Sequence, residues 1–138
     1  MKLIFHSIRD LTIPAALIAN KINKIIKLPD NFEVNVVEST KSEIRKLNKG
    51  YRQKDEPTDV LSFQSPVKNQ PGGDIYICSE IIKSNAGRFS VSYEEEKVRT
   101  LIHGILHLIG MNHKYKMGER DEKLFDLQER IVRTIFNE

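Results

Sequence analysis

Residues 92–113 read SYEEEKVRTLIHGILHLIGMNH, and this stretch decides the fold. Ser92 and Glu95 stand at the spacing of a capping box, in which a hydroxyl and a carboxylate satisfy the first unpaired N–H groups of a helix. Glu94, Glu95 and Glu96 add negative charge where the helix dipole is positive. Val98, Leu101, Ile102, Ile105 and Leu108 then recur at helical spacing, which predicts one long core helix ending at Gly110. His103 and His107 lie four residues apart on it, so they differ by only ~40° around the axis and point the same way. Two imidazoles one turn apart are spaced to share an ion through Zn–N bonds of ~2.0–2.1 Å. Gly110 can take positive φ at no steric cost, which lets the chain turn back and bring His113 to the same ion. Three nitrogen ligands without a nearby cysteine match catalytic zinc sites, which leave a position for water, better than structural sites closed by four protein ligands. The pattern therefore predicts a metal-dependent hydrolase carrying one zinc ion per chain, with His103, His107 and His113 as ligands.

Working outward, Lys2 to His6 reads as a short strand. Asp10 caps a helix with Pro14 in its first turn, and Leu17, Ile22, Ile25 and Ile26 form its apolar stripe. Pro29-Asp30-Asn31 breaks that helix. Phe32, Val34 and Val36 alternate with polar residues, the pattern of a half-buried strand. Thr40 and Glu43 form a capping box, so a helix runs from there to about Asn48, with Gly50 as its stop. Tyr51 to Thr58 reads as a polar loop. Val60-Leu61-Ser62-Phe63 is a strand, Gln70-Pro71-Gly72-Gly73 a turn, and Asp74 to Cys78 another strand. Ser79 caps a short helix ending near Gly87, and Leu124, Leu127, Ile131 and Ile135 mark one face of a last helix. The expectation is an α+β (mixed α/β) fold: one domain over residues 1–138, with a small, roughly four-stranded mixed sheet covered by about five helices.

The 138 residues, 39% hydrophobic and 30% charged, are those of an ordinary globular chain. One cysteine, Cys78, excludes an internal disulfide and reads as a small buried hydrophobe. The N-terminus turns polar too soon for a signal peptide, and no apolar run reaches the ~20 residues of a membrane span. A cytoplasmic protein without membrane contact is expected. A net charge of +3 permits a nucleic-acid partner without requiring one. Lys41, Arg45, Lys46, Lys49, Arg52 and Lys54 form the densest basic stretch, and Tyr51 within it offers a ring on which a base could stack.

The histidine spacing is also that of the metzincin peptidases, His-Glu-x-x-His-x-x-Gly-x-x-His. Their general-base glutamate is replaced here by Gly104, which removes the proton acceptor that peptide hydrolysis uses. The run from His103 to His113 instead resembles the signature of the YbeY endoribonuclease family, the bacterial rRNA maturation factors. Two further stretches carry the resemblance: Leu47-Asn48, Tyr51-Arg52, Asp55 and Pro57-Thr58-Asp59-Val60-Leu61-Ser62-Phe63, then Gly73-Asp74-Ile75. Together they span roughly residues 47 to 113. The resemblance implies a single-strand-specific, zinc-dependent endoribonuclease acting in 3′-end maturation of small-subunit (16S) ribosomal RNA and in ribosome quality control. Its implied partners are single-stranded RNA, above all ribosomal RNA, and the ribosome or its assembly proteins.

His103, His107 and His113 match the family's zinc ligands, and Arg52 matches an arginine important near the metal. Arg52 is accordingly the expected catalytic residue, its planar fork suited to charge developing on a phosphoryl group. Asn112 stands where the family usually has aspartate, so a charge beside the third ligand is replaced by an amide. The residues leave the general base open: metal-bound hydroxide, a substrate phosphate oxygen, or a carboxylate, for which Asp59 and Asp74 beside strands are candidates. Two other readings stay open: a metallopeptidase-like hydrolase, and a non-catalytic, metal-containing ribosome assembly factor.

Overall fold

The computed structural model describes residues 1–110 and 122–136. Asn112 and His113 lie outside that range. Strands β1 (Lys2–His6), β2 (Glu33–Ser39), β3 (Val60–Gln64) and β4 (Gly72–Cys78) form one sheet in the order β1-β2-β4-β3. The β1–β2 and β2–β4 pairs are parallel, and β3 lies antiparallel to β4 at the edge. Helices α1 (Ala15–Ile25), α2 (Lys41–Arg52), α3 (Ser79–Phe89), α4 (Tyr93–Leu108) and α5 (Glu122–Phe136) cover it. This is the expected α+β class with a mixed four-stranded sheet. No described helix is long and apolar enough to cross a membrane.

Strand alternation sends neighbouring side chains to opposite faces. Val34, Val36, Ile75 and Ile77 join the main core, where they meet Ile18 and Ile22 of α1, the apolar face of α4, and Leu124 and Ile131 of α5. Leu61 and Cys78 turn the other way and bury against Ile44 of α2. Helix α4 is the central post. Val98, Leu101, Ile102, Ile105 and Leu108 are all buried, as the periodicity predicts.

Four local expectations are corrected. Helix α1 begins at Ala15 with Pro14 at its N-cap, while Asp10 adopts a left-handed conformation and caps nothing. Its inward face is Ile18, Ala19 and Ile22, with Ile25 and Ile26 packed against the core, while Leu17 of the expected stripe is exposed because its neighbour Ile18 takes the inward position. Helix α2 has the predicted capping box but runs through Gly50 to Arg52. The stop is Gln53, left-handed, whose N–H donates to the Asn48 carbonyl. In α3 Ser79 is the first helical residue rather than the cap, while the helix ends at Phe89, near Gly87 as expected.

Buried Lys97 is where the layers meet. Its ammonium lies within hydrogen-bond distance of four oxygens, the Arg9 carbonyl, Glu38 at the end of β2, Ser79 Oγ and the Tyr93 hydroxyl, among which its three N–H groups are shared. A charge only 1% exposed is tolerable because all of these partners are oxygens and one is anionic.

Candidate active site

Helix α4 leaves the core on one side, and there its two histidines are half-buried. His103 Nε2 and His107 Nε2 face each other at 3.0 Å. Two Zn–N bonds of ~2.0–2.1 Å at a tetrahedral angle would hold their nitrogens about 3.3 Å apart, so the pair is compatible with a shared ion. Among the described residues no group of three or more His, Cys, Asp or Glu could hold a metal. The third histidine of the pattern is outside them.

These imidazoles line a cleft of about 700 Å³ together with Tyr51, Arg52, Thr58, Asp59 and the whole of β3. Arg52 comes from a segment more than fifty positions away, and the fold delivers it as follows. Helix α2 packs Ile44 against the sheet, so its C-terminal turn projects beside β3. After Gln53 the chain doubles back, held by buried Asn48, whose Nδ2 donates to the Glu56 carbonyl at 2.9 Å. Arg45 pairs with Asp55 at 2.8 Å across the same loop. Arg52 is exposed, and among the described residues no ion pair engages its guanidinium, unlike those of Arg45 and Arg99. Tyr51 is 68% exposed yet set in place, its ring edge-on to Phe63 at 5.0 Å, with Phe63 in turn edge-on to Tyr76 at 5.7 Å. Phe63 and Leu61 both border the cleft, Leu61 as a core residue only 3% exposed.

Position 104 does not face the cleft. A Cβ there would come within 3.0 Å of Ser62 Oγ, 3.1 Å of Val60 Cγ2 and 3.2 Å of Ile75 Cδ1. Glycine lets α4 lie close on β3 and β4, and Ser62 Oγ donates to the Gly104 carbonyl at 2.9 Å. A glutamate at this position would be driven into the sheet, so the metallopeptidase reading finds no seat for its base. Gly110, with φ of +91°, follows the end of α4 as the expected turn residue.

Of the two candidate carboxylates, Asp59 lines the cleft and Asp74 does not. Asp74 is exposed and belongs to a smaller depression with Glu33 and Asn35. His6, given no role from sequence, meets Asn35 at 2.9 Å. Of the basic stretch, Arg45 and Lys49 are shared with Asp55, and Arg52 alone lines the cleft.

The residue that sequence reasoning missed is Gln128. It is 6% exposed on α5, and its Oε1 lies 2.7 Å from His103 Nδ1. One signal was present: a polar side chain four residues after Leu124 and three before Ile131, on the face otherwise given to the core. Next to it Glu129 takes two hydrogen bonds from Arg99, at 2.8 and 3.1 Å, and Arg99 also donates to Glu95 and Glu96 at 2.9 Å each. Burial opposes ionisation of Glu129, but the bonds from Arg99 and Gln128 outweigh it and hold its pKa below the ordinary value. For Glu96 burial prevails over Arg99, and its pKa is raised.

An α+β fold with a basic and aromatic wall opposite a helix-borne histidine pair defines a class of hydrolase-like clefts suited to an anionic substrate. The family model "Endoribonuclease YbeY" matches residues 7–135. Relatives named endoribonuclease YbeY include one from Thermotoga neapolitana, 34% identical over 88% of this chain and 80% of its own length. One from Persephonella marina is 36% identical over 96% and 91%, and one from Aquifex aeolicus is 40% identical over 75% and 70%. A solution structure of TM1509 from Thermotoga maritima superposes with a TM-score of 0.64 at 32% identity, covering 99% of this chain and 89% of the other. The chain belongs to the endoribonuclease YbeY family.

Proposed function

We propose that this chain is a single-strand-specific, zinc-dependent endoribonuclease that matures the 3′ end of small-subunit ribosomal RNA and takes part in ribosome quality control in the cytoplasm. The observation that carries the reading is the meeting of Arg52 with His103 and His107 in one cleft, from segments remote in sequence. His103, His107 and His113 would hold the ion, which when bound supplies Lewis-acid polarisation of a phosphoryl oxygen and lowers the pKa of water. The protein's own groups do the rest. Arg52 reaches two phosphate oxygens with its planar fork and stabilises the negative charge that grows on them. Asp59 is the carboxylate this cleft offers as a proton acceptor, beside the two other candidates, a substrate phosphate oxygen and metal-bound hydroxide. The Tyr51 ring offers an apolar face to an unpaired base, which a duplex keeps stacked inside itself. Ribosomal RNA, and the ribosome or its assembly proteins, are the partners this activity needs.

The test is cleavage of a labelled single-stranded RNA by the wild-type protein, by His107→Ala and by a chelator-treated sample. Cleavage by the wild type alone supports the reading. Equal cleavage by all three removes the metal from it, and no cleavage by metal-loaded wild type, on either free RNA or a small-subunit precursor, removes the nuclease.

A further inference from the structure

We propose that Gln128 is a positioning residue that fixes the tautomer and ring orientation of His103, and so decides which nitrogen His103 presents to the cleft. The use assigned to that nitrogen rests on the reading of His103 as a zinc ligand; the tautomer itself does not.

The direction of the Gln128 amide is determined by its neighbours. Its Nε2 donates to Glu129 Oε2 at 3.1 Å. A carboxylate only accepts, so turning the amide over would set oxygen against oxygen. Glu129 cannot swing away to relieve this, because Arg99 holds both its oxygens, and Arg99 is itself held by Glu95 and Glu96. The amide oxygen therefore faces His103 Nδ1 at 2.7 Å, and it too only accepts. The hydrogen of the neutral imidazole must then sit on Nδ1, which puts the ring's lone pair on Nε2, the atom 3.0 Å from His107 Nε2. Every link is a matched donor and acceptor, and the chain of constraint runs from three glutamates through one arginine to a single ring nitrogen. A helix alone cannot do this, since α4 sets where His103 is but not which of its nitrogens carries the proton. The bond comes from α5, so the docking of α5 on α4 is built into the site. Metal-ligating histidines commonly have such a partner on the second nitrogen, and its loss typically costs 10–100-fold in metal affinity.

Two measurements on the full chain test the proposal. Long-range nitrogen–proton NMR on metal-free protein reads the His103 tautomer directly. The expected result is hydrogen on Nδ1 in the wild type, and its loss from Nδ1 in Gln128→Met, which keeps length and helix propensity but removes the acceptor. Zinc dissociation constants from competition with a chromophoric chelator are then expected to rise about 10–100-fold in Gln128→Met. In Gln128→Glu, which keeps an accepting oxygen, they should stay within a few-fold of wild type. Hydrogen on Nε2 in the wild type overturns the proposal whether or not any variant folds. Wild-type zinc affinity in a folded Gln128→Met also overturns it. A wild-type protein that takes up no zinc instead overturns the metal reading, and the NMR result still decides whether Gln128 sets the ring.

Discussion

At the scale of single residues, the cleft divides its labour by charge and by constraint. Arg52 is exposed at the end of α2 and lines the cleft without an ion pair among the described residues, so its removal should leave the fold and the histidines alone. Arg52→Ala is expected to keep zinc uptake and lose about 100-fold in single-stranded RNA cleavage, the cost of deleting one donor to developing charge. Elemental analysis beside single-turnover kinetics checks it, and unaltered kinetics would place Arg52 outside the reaction. The roles most legible in the sequence were those encoded by spacing. His103 and His107 are read together because a helix repeats every 3.6 residues. Gln128 was hidden because its partner lies on another helix, 25 positions away, and no local period reports a contact of that kind.

Among the elements, α2 shows how a good local signal can still mislead. Its start was plain: Thr40 Oγ1 accepts from the Glu43 N–H at 3.1 Å, and Glu43 accepts from the Thr40 N–H at 2.9 Å. Its end was misplaced, because glycine permits a stop without imposing one. The left-handed turn falls on Gln53, where the Asn48 carbonyl receives both the Gln53 and the Lys54 N–H. The four residues beyond Asn48 carry Tyr51 and Arg52 onto the last turn of the helix, so the catalytic candidate stands on α2 and not in the loop that follows. Since a Cβ at Gly50 would meet nothing within 4 Å, Gly50→Ala is expected to stabilise the protein by about 0.5–1 kcal/mol. Urea titration measures the gain. A loss of stability would mean that position 50 needs freedom the helix does not show. The strands fared better than the helix ends, because alternation in Phe32 to Val36 fixes both type and facing, and each of those apolar residues is buried.

For the whole molecule, the Arg99 cluster links electrostatics to the docking of α4 on α5. The pKa of Glu129 lies below its unfolded value of about 4.3. The stability it contributes is therefore complete above that value and is lost as pH falls through the lower, folded one. Glu38, where burial is outweighed by the bonds from Lys97 and Ser79, acts in the same direction. Glu96 has the opposite sign. Its raised pKa favours the protonated carboxyl, so its contribution is complete below the unfolded value and declines as pH rises through the raised one. Glu129→Gln is expected to lower stability at neutral pH by about 2 kcal/mol and to flatten the acid limb of the stability curve. Glu96→Gln, whose amide oxygen still accepts from Arg99, should cost less than about 0.5 kcal/mol at neutral pH. Chemical denaturation across pH 3 to 8 separates the two, and equal losses would contradict the assigned signs. Half of this network has a local signature, since Glu95 and Glu96 stand four and three positions before Arg99 on one helix. The bonds to Glu129 have none, because they join α4 to α5 across 30 positions.

The close seat of Gly104 on β3 has a mechanical corollary. One side of the cleft is riveted: Ser62 bonds the α4 backbone, and Val60 and Ile75 fill the space where a side chain would otherwise keep helix and sheet apart. The opposite side, the last turn of α2, meets β3 through the edges of aromatic rings, which slide more readily than a hydrogen bond shears. The cleft is thus expected to work as a vice with one fixed jaw, any adjustment to RNA of differing bulk falling to the Tyr51–Arg52 jaw. Amide hydrogen exchange is expected to be slow along β4 and the middle of α4 and faster at residues 50–53, with RNA slowing only the latter. Protection of both jaws alike would mean that the grip is rigid throughout.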